Sequence, residues 1–155
     1  MTNNSHIITV EITSFSYKRP LPPNLFTDAP GKHGGGFVFD CRCLPNPGRE
    51  EQYKSRTGLE LEVIEYLEKS KEVQDFKAHT FAIVNAAIQN YMHRNFDFLS
   101  VAFGCTGGQH RSVYFTEQLS RHLLKSFSPR VATTVCHSNL DSAGRPLEQN
   151  KPPLH

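Results

Sequence analysis

The residues of this 155-residue chain with the most chemical content stand together, as Gly104-Cys105-Thr106-Gly107-Gly108-Gln109-His110-Arg111-Ser112. Adjacent glycines remove Cβ atoms where a backbone must turn tightly or approach a ligand. Thr106 and Ser112 add hydroxyl donors, and Arg111 can hold two oxygens of one oxyanion. An apolar run precedes the segment and a helical pattern follows it. That order aims several backbone N–H groups and a helix dipole at one point, which suits a phosphate. The loop is not a Walker A sequence, because no Gly-Lys-Ser/Thr closes it, and its glycines lack the dinucleotide spacing. His110 can add a donor to the anion or serve the packing, and Gln109 completes the candidate contacts.

The same loop offers a second chemistry. Cys105 and Arg111 are separated by five residues and followed by Ser112, the spacing of a cysteine-dependent phosphatase loop. Such an enzyme needs a Cys105 thiolate, favoured by the helix N-terminus and Arg111, and an acid such as Asp40 to protonate the leaving oxygen. Gly104 stands where a His commonly precedes that nucleophile. Binding without catalysis is therefore the expected role, and cysteine phosphatase is the alternative.

A second constellation, Asp40-Cys41-Arg42-Cys43-Leu44-Pro45-Asn46-Pro47, begins where an apolar run ends. Ligands of open parallel sheets sit at the carboxyl ends of the strands, so Asp40, Arg42 and Asn46 can meet the glycine loop there. A carboxylate beside a phosphate site fits a ligand with hydroxyl or amino groups, as in a sugar phosphate. The same residues equally suit a loop closed by an Asp–Arg ion pair and Asn turn bonds.

The elements that position these residues follow from periodicity. Residues 6–15 alternate as a strand, and the proline- and glycine-rich stretch 19–36 reads as a surface loop. Residues 36–41 read as a short buried parallel strand, followed by an irregular stretch to Thr57. Leu59, Val63, Ile64 and Leu67 mark one helix, and Val73, Phe76, Phe81, Val84, Ala87, Ile88 and Tyr91 mark another over 71–93. Residues 96–103 form a strand that leads into the glycine loop. From Arg111 the pattern is helical, with Val113, Thr116, Leu119, Leu123 and Leu124 inward and a Glu117/Arg121 pair outward. Residues 130–137 are a last strand. The polar stretch 138–155 reads as loosely attached. The result is a single α/β domain with a mainly parallel sheet flanked by helices.

Composition narrows the function classes. The formal charge of +2 neither demands nor excludes nucleic acid. The four cysteines form no CxxC pair and the histidines no metal spacing, so neither a metal nor a cofactor is expected. No charged and apolar leader opens the chain, and no run approaches the roughly 18 apolar residues of a membrane span. A cytoplasmic protein with free thiols is expected.

Taken together, Phe39-Asp-Cys-Arg-Cys-Leu-Pro-Asn-Pro47, Thr57-Gly58-Leu59 and Gly104-Cys-Thr-Gly-Gly-Gln-His-Arg-Ser-Val-Tyr114 with Glu117-Gln118-Leu119 resemble the C-terminal domain of the RapZ family, the bacterial RNase adapter proteins. Ser14-Phe15-Ser16-Tyr17-Lys18 looks like that family's opening motif. The similarity runs over residues 7–141, which sets residues 1–141 as the domain and 142–155 as a flexible tail.

The resemblance implies a domain similar to part of phosphofructokinase that binds glucosamine-6-phosphate, contacts small regulatory RNA and self-associates. By matching positions, the phosphate lies on Thr106, Gly107, Gly108 and Arg111, and the sugar approaches Asp40 and Arg42. The family's nucleotide-binding P-loop has no counterpart in these residues, so its ATP or GTP role is not expected here. Gly48 stands where the family often has His after Asn-Pro, which alters the sugar contacts. The basic tail of the family is reduced to scattered Arg145 and Lys151, so the charge on which RNA affinity rests is thin.

Overall fold

A computed structural model describes residues 6–23, 25 and 34–147. Strand β1 (Ile8–Ser16) is β-branched at alternate positions, and Ile8, Val10 and Ile12 are wholly buried on one side while Glu11 stays partly open on the other. It is flanked by β3 (Phe98–Cys105) and β4 (Val131–His137), and β2 (Gly36–Asp40) pairs with β3. The order is β2-β3-β1-β4 and every pairing is parallel.

Three helices complete the fold: α1 (Leu61–Glu68), α2 (Lys71–Arg94) and α3 (Arg111–Phe127). The Ser70 hydroxyl accepts from the Val73 N–H at 3.3 Å and starts α2, and Asn95 at φ 56° ends it. Val84 and Ile88 of α2 and Phe115, Leu119 and Leu123 of α3 meet Val10, Ile12, Leu99, Val101 and Phe103 in one core. An aromatic row crosses that core, Phe39 to Phe103 at 5.4 Å, Phe103 to Phe115 at 5.6 Å and Phe115 to Phe76 at 5.2 Å. It ties the edge strand to α2 through α3. Across the other face of the sheet pass Pro20–Pro23 and Leu25, leaving a 500 Å³ cleft over Glu11, Thr13, Ser100 and Cys136.

Several local expectations change once the strand order is known. The β2 segment is a parallel strand but not a buried one, because it lies at the edge with a single neighbour, and Val38 is 37% exposed. Leu59 lies ahead of α1, and both it and Leu124 are exposed, so neither belongs to the core stripe assigned to it. Glu117 bonds with His137 at 2.7 Å rather than pairing with Arg121, and the other ring nitrogen of His137 meets Ser14 Oγ at 2.7 Å. Residues 138–147 are packed rather than loose, since Asn139 and Leu140 are buried and the Leu147 N–H donates to Asn139 O at 3.2 Å. The remaining tail, 148–155, and residues 26–33 of the proline-rich loop lie outside the described residues. Among the described residues no helix is long and apolar enough to cross a membrane.

Candidate anion-binding site

The carboxyl ends of three strands converge on the glycine loop. The Tyr17 N–H donates to Cys105 O at 3.0 Å, Ser16 Oγ donates to Thr106 O at 2.6 Å, and the Cys41 N–H donates to Gly104 O at 2.7 Å. The turn itself needs Gly108, whose φ is 66°, and a Cβ there would stand 2.4 Å from Asn139 Oδ1. At Gly107 an added Cβ would meet nothing within 4 Å. No side chain caps the start of α3. Among the described residues no acceptor meets the backbone N–H groups of Gly107, Gly108, Ser112 or Val113. Unsatisfied donors at a helix start are where an anion is stabilised.

Arg111 is only 3% exposed. Its Nη1 donates to Leu44 O at 2.8 Å and Arg42 O at 3.0 Å, and its Nη2 donates to Thr106 Oγ1 at 3.3 Å. The buried Nε has no hydrogen-bond partner. The guanidinium thus joins the loop after β2 to the start of α3. It also lines a 470 Å³ cleft with Arg42, Leu44, Asn46, Arg49, Glu72 and Thr106. A cleft of that size suits a small metabolite.

The remaining sequence candidates divide between cleft and scaffold. Arg42 grips the Asp40 carboxylate through two nitrogens at 2.6 and 2.9 Å, and its guanidinium lies 4.0 Å from the Tyr17 ring centre. The hydrogen bonds from Arg42, more than any other cause, hold the Asp40 carboxyl below its ordinary proton affinity. Asp40 therefore closes its loop as an ion pair and is not among the residues lining the cleft. Asn46 does line it, while its Oδ1 accepts from the Gly48 N–H at 2.9 Å.

Gln109 and His110 face the opposite way. Gln109 Nε2 donates to Arg56 O at 2.7 Å and Lys54 O at 2.8 Å, and His110 Nε2–H donates to Tyr53 O at 2.8 Å. The Gly58 N–H returns to Gln109 O at 2.9 Å, so both side chains pin residues 53–58 to the loop. Burial pushes the proton affinity of His110 down, which favours the neutral ring. Cys105 belongs to the apolar core, and its thiol donates to Ser112 Oγ at 3.1 Å. Neither sulfur nor that hydroxyl lines the cleft, and the neighbouring Cys41 thiol is pushed up by its own burial. A phosphorus-attacking thiolate needs its sulfur at the cleft surface.

Two cleft residues, Arg49 and Glu72, were not singled out from the sequence. A hydrogen bond from its own backbone N–H, and after it one from Ser70 Oγ, which donates to Glu72 Oε2 at 2.8 Å, keep the Glu72 carboxyl below its ordinary range. Ser70 with an acidic residue in the first turn signals a helix start, which does place Glu72 but not its neighbours across the cleft. All four cysteines are free, and no group of three or more His, Cys, Asp or Glu among the described residues is placed to hold a metal ion.

Comparison with known proteins matches the family described as the RapZ C-terminal domain over residues 8–141. A nucleotide-binding protein of Saccharophagus degradans is 40% identical over 142 residues, covering 92% of this chain and 42% of its own length. One of Thermotoga neapolitana is 36% identical over 125 residues, covering 81% of this chain and 41% of its own. One of Xanthomonas campestris is 34% identical over 130 residues, covering 84% and 43%. The chain thus spans about two fifths of the length of the curated relatives it matches. The glycine loop at the end of a parallel strand and the loop that follows Asp40 both fall inside the matched span, and the chain belongs to the RapZ C-terminal domain family.

Proposed function

We propose that this chain is a non-catalytic regulatory module that binds a phosphorylated metabolite in the cleft between Arg49 and Arg111. A phosphorylated amino sugar such as glucosamine-6-phosphate is the ligand class that the family resemblance names. One observation carries the reading. A guanidinium that is 3% exposed borders the cleft with an unpartnered Nε, beside a glycine loop whose amides lack acceptors among the described residues. Buried donors left without partners cost about 1–3 kcal/mol each, which an oxyanion offsets. The relatives' name, nucleotide-binding protein, fits a phosphate ligand, although most of their length lies outside the match.

The cysteine phosphatase alternative loses its support, because Cys105 points into the core and Asp40 is committed to Arg42. The test of binding is a thermal titration. Glucosamine-6-phosphate at about 100 times its Kd stabilises the folded state by about 2.7 kcal/mol, which raises the Tm of a domain this size by roughly 5–10 °C. Glucosamine without phosphate gives no shift, and Arg111→Lys reduces it. Hexose phosphates that leave Tm unchanged refute the reading.

RNA contact is a second reading, favoured by a groove of 510 Å³ between α2 and α3. Lys77, Arg121 and Lys125 line it and no carboxylate does. Binding through such cations weakens steeply with salt, so a chain that retards no RNA at low salt refutes it. Self-association and a reducing, cytoplasmic setting for the four free thiols accompany this picture.

A further inference from the structure

The loop that Arg111 pins places a free thiol at the cleft. Residues 41–44 form a turn in which the Leu44 N–H donates to Cys41 O at 3.2 Å, and Arg42 and Cys43 stand at its tip. Arg111 Nη1 holds the backbone on both sides of Cys43, at Arg42 O (3.0 Å) and Leu44 O (2.8 Å). The four free thiols divide accordingly. Cys41 and Cys105 are buried in the core, whereas Cys43 and Cys136 are exposed. Cys43 lines the 470 Å³ cleft with Thr106 and Arg111, and Cys136 lines the separate cleft over Glu11 and Ser100. A second observation marks the Cys43 cleft as one that receives a ligand, because the Arg111 guanidinium bordering it is 3% exposed and its Nε has no partner.

We propose that Cys43 is a modification site that switches the cleft off: its thiol exchanges with a low-molecular-weight disulfide, and the group left on sulfur shuts out the phosphorylated ligand. This rests on the phosphate site proposed above. In the exchange Cys43 gives its S–H proton to solvent and its sulfur attacks one sulfur of the disulfide. A new S–S bond forms as the old one breaks, and the departing thiolate takes up a proton, so each modified Cys43 releases one small thiol. Exposure gives the reagent access that Cys41, two residues earlier, lacks. Because Arg111 fixes the turn on both sides, the new group is held at the cleft. A cleft that suits one small metabolite does not hold a tripeptide group and the metabolite together. The two compete, so bound ligand in turn shields the thiol.

The intact chain carrying Cys136→Ser isolates the reaction, with Cys43 as its exposed thiol. Its rate with dithiobis(nitrobenzoate) falls about tenfold in glucosamine-6-phosphate at about 10 times its Kd, in proportion to the unliganded fraction. The Cys43→Ser chain, which exposes Cys136 instead, reacts at a rate that the ligand does not change. Peptide mass mapping of the wild type gives the same two rates side by side, so the comparison does not depend on either variant folding. Calorimetry reads the converse: with glutathione mapped onto Cys43, affinity for glucosamine-6-phosphate falls on the order of tenfold or more, and dithiothreitol restores it. The inference is overturned by a Cys43 rate that saturating ligand leaves unchanged, by failure to form the adduct, or by an adduct that leaves affinity intact. In each of these cases the site reading stands. If glucosamine-6-phosphate does not bind the reduced wild type, the site reading and the inference fall together.

Discussion

Replacing Gly108 by alanine puts a methyl group where the fold has no room. At φ 66° the residue occupies the left-handed region, in which an L side chain costs about 1–2 kcal/mol. The new Cβ would stand 2.4 Å from Asn139 Oδ1 and 2.9 Å from Ser16 N. The Asn139 amide can swing, but Ser16 N is backbone at the end of β1, in register with Cys105, and cannot yield without moving the strand. Overpacking of this kind costs about 1–3 kcal/mol more. The sum is about 2–5 kcal/mol, and at roughly 2–4 °C per kcal/mol for a chain of this size the Tm falls by about 4–20 °C. Gly107→Ala is the matched control, because its Cβ meets nothing within 4 Å and its backbone is not left-handed. Its stability stays within about 0.5 kcal/mol of wild type. Thermal melts followed by circular dichroism decide the matter. If the two variants melt together, the loop does not have the left-handed turn described at Gly108.

Two other perturbations test the same architecture. Arg111→Met strips donors from Arg42 O and Leu44 O, two charged hydrogen bonds at 3.0 and 2.8 Å. At about 1.5–3 kcal/mol each the loss is about 3–6 kcal/mol, and a urea midpoint equal to wild type refutes the pinning role. Acidification supplies the second. Desolvation depresses the proton affinity of both His110 and His122 from the ordinary value of 6.5. Above that value folded and unfolded chains are both neutral at these rings, and neither contributes. Below it the unfolded chain takes up protons that the folded chain resists, so stability falls as pH drops from about 7 to 5. The double variant His110→Gln, His122→Gln has a shallower slope of unfolding free energy over that window, and an unchanged slope refutes the assignment.

Much of this protein can be read along the chain because the deciding signals are local. The two-residue alternation of Ile8, Val10 and Ile12, the helical spacing of Val73, Phe81, Val84 and Ile88, and the glycines between β3 and α3 each act over a few residues. They suffice for the α/β class and for a glycine loop between the carboxyl end of a strand and the start of a helix. The partners of those groups could not be read this way. That Arg111 bonds carbonyls about 70 positions earlier follows from β2 lying beside β3, and a β2 between two neighbours would present a different loop. Gln109 and His110 looked like ligand contacts, yet the packing of residues 53–58 against the loop claims both side chains. Arg49 and Glu72 come to one cleft from a short turn and a helix start, with no shared periodicity to announce them. Spacing decides which residues share a face, whereas contacts between distant segments depend on strand order and on how the core fills, and neither is encoded in any short window.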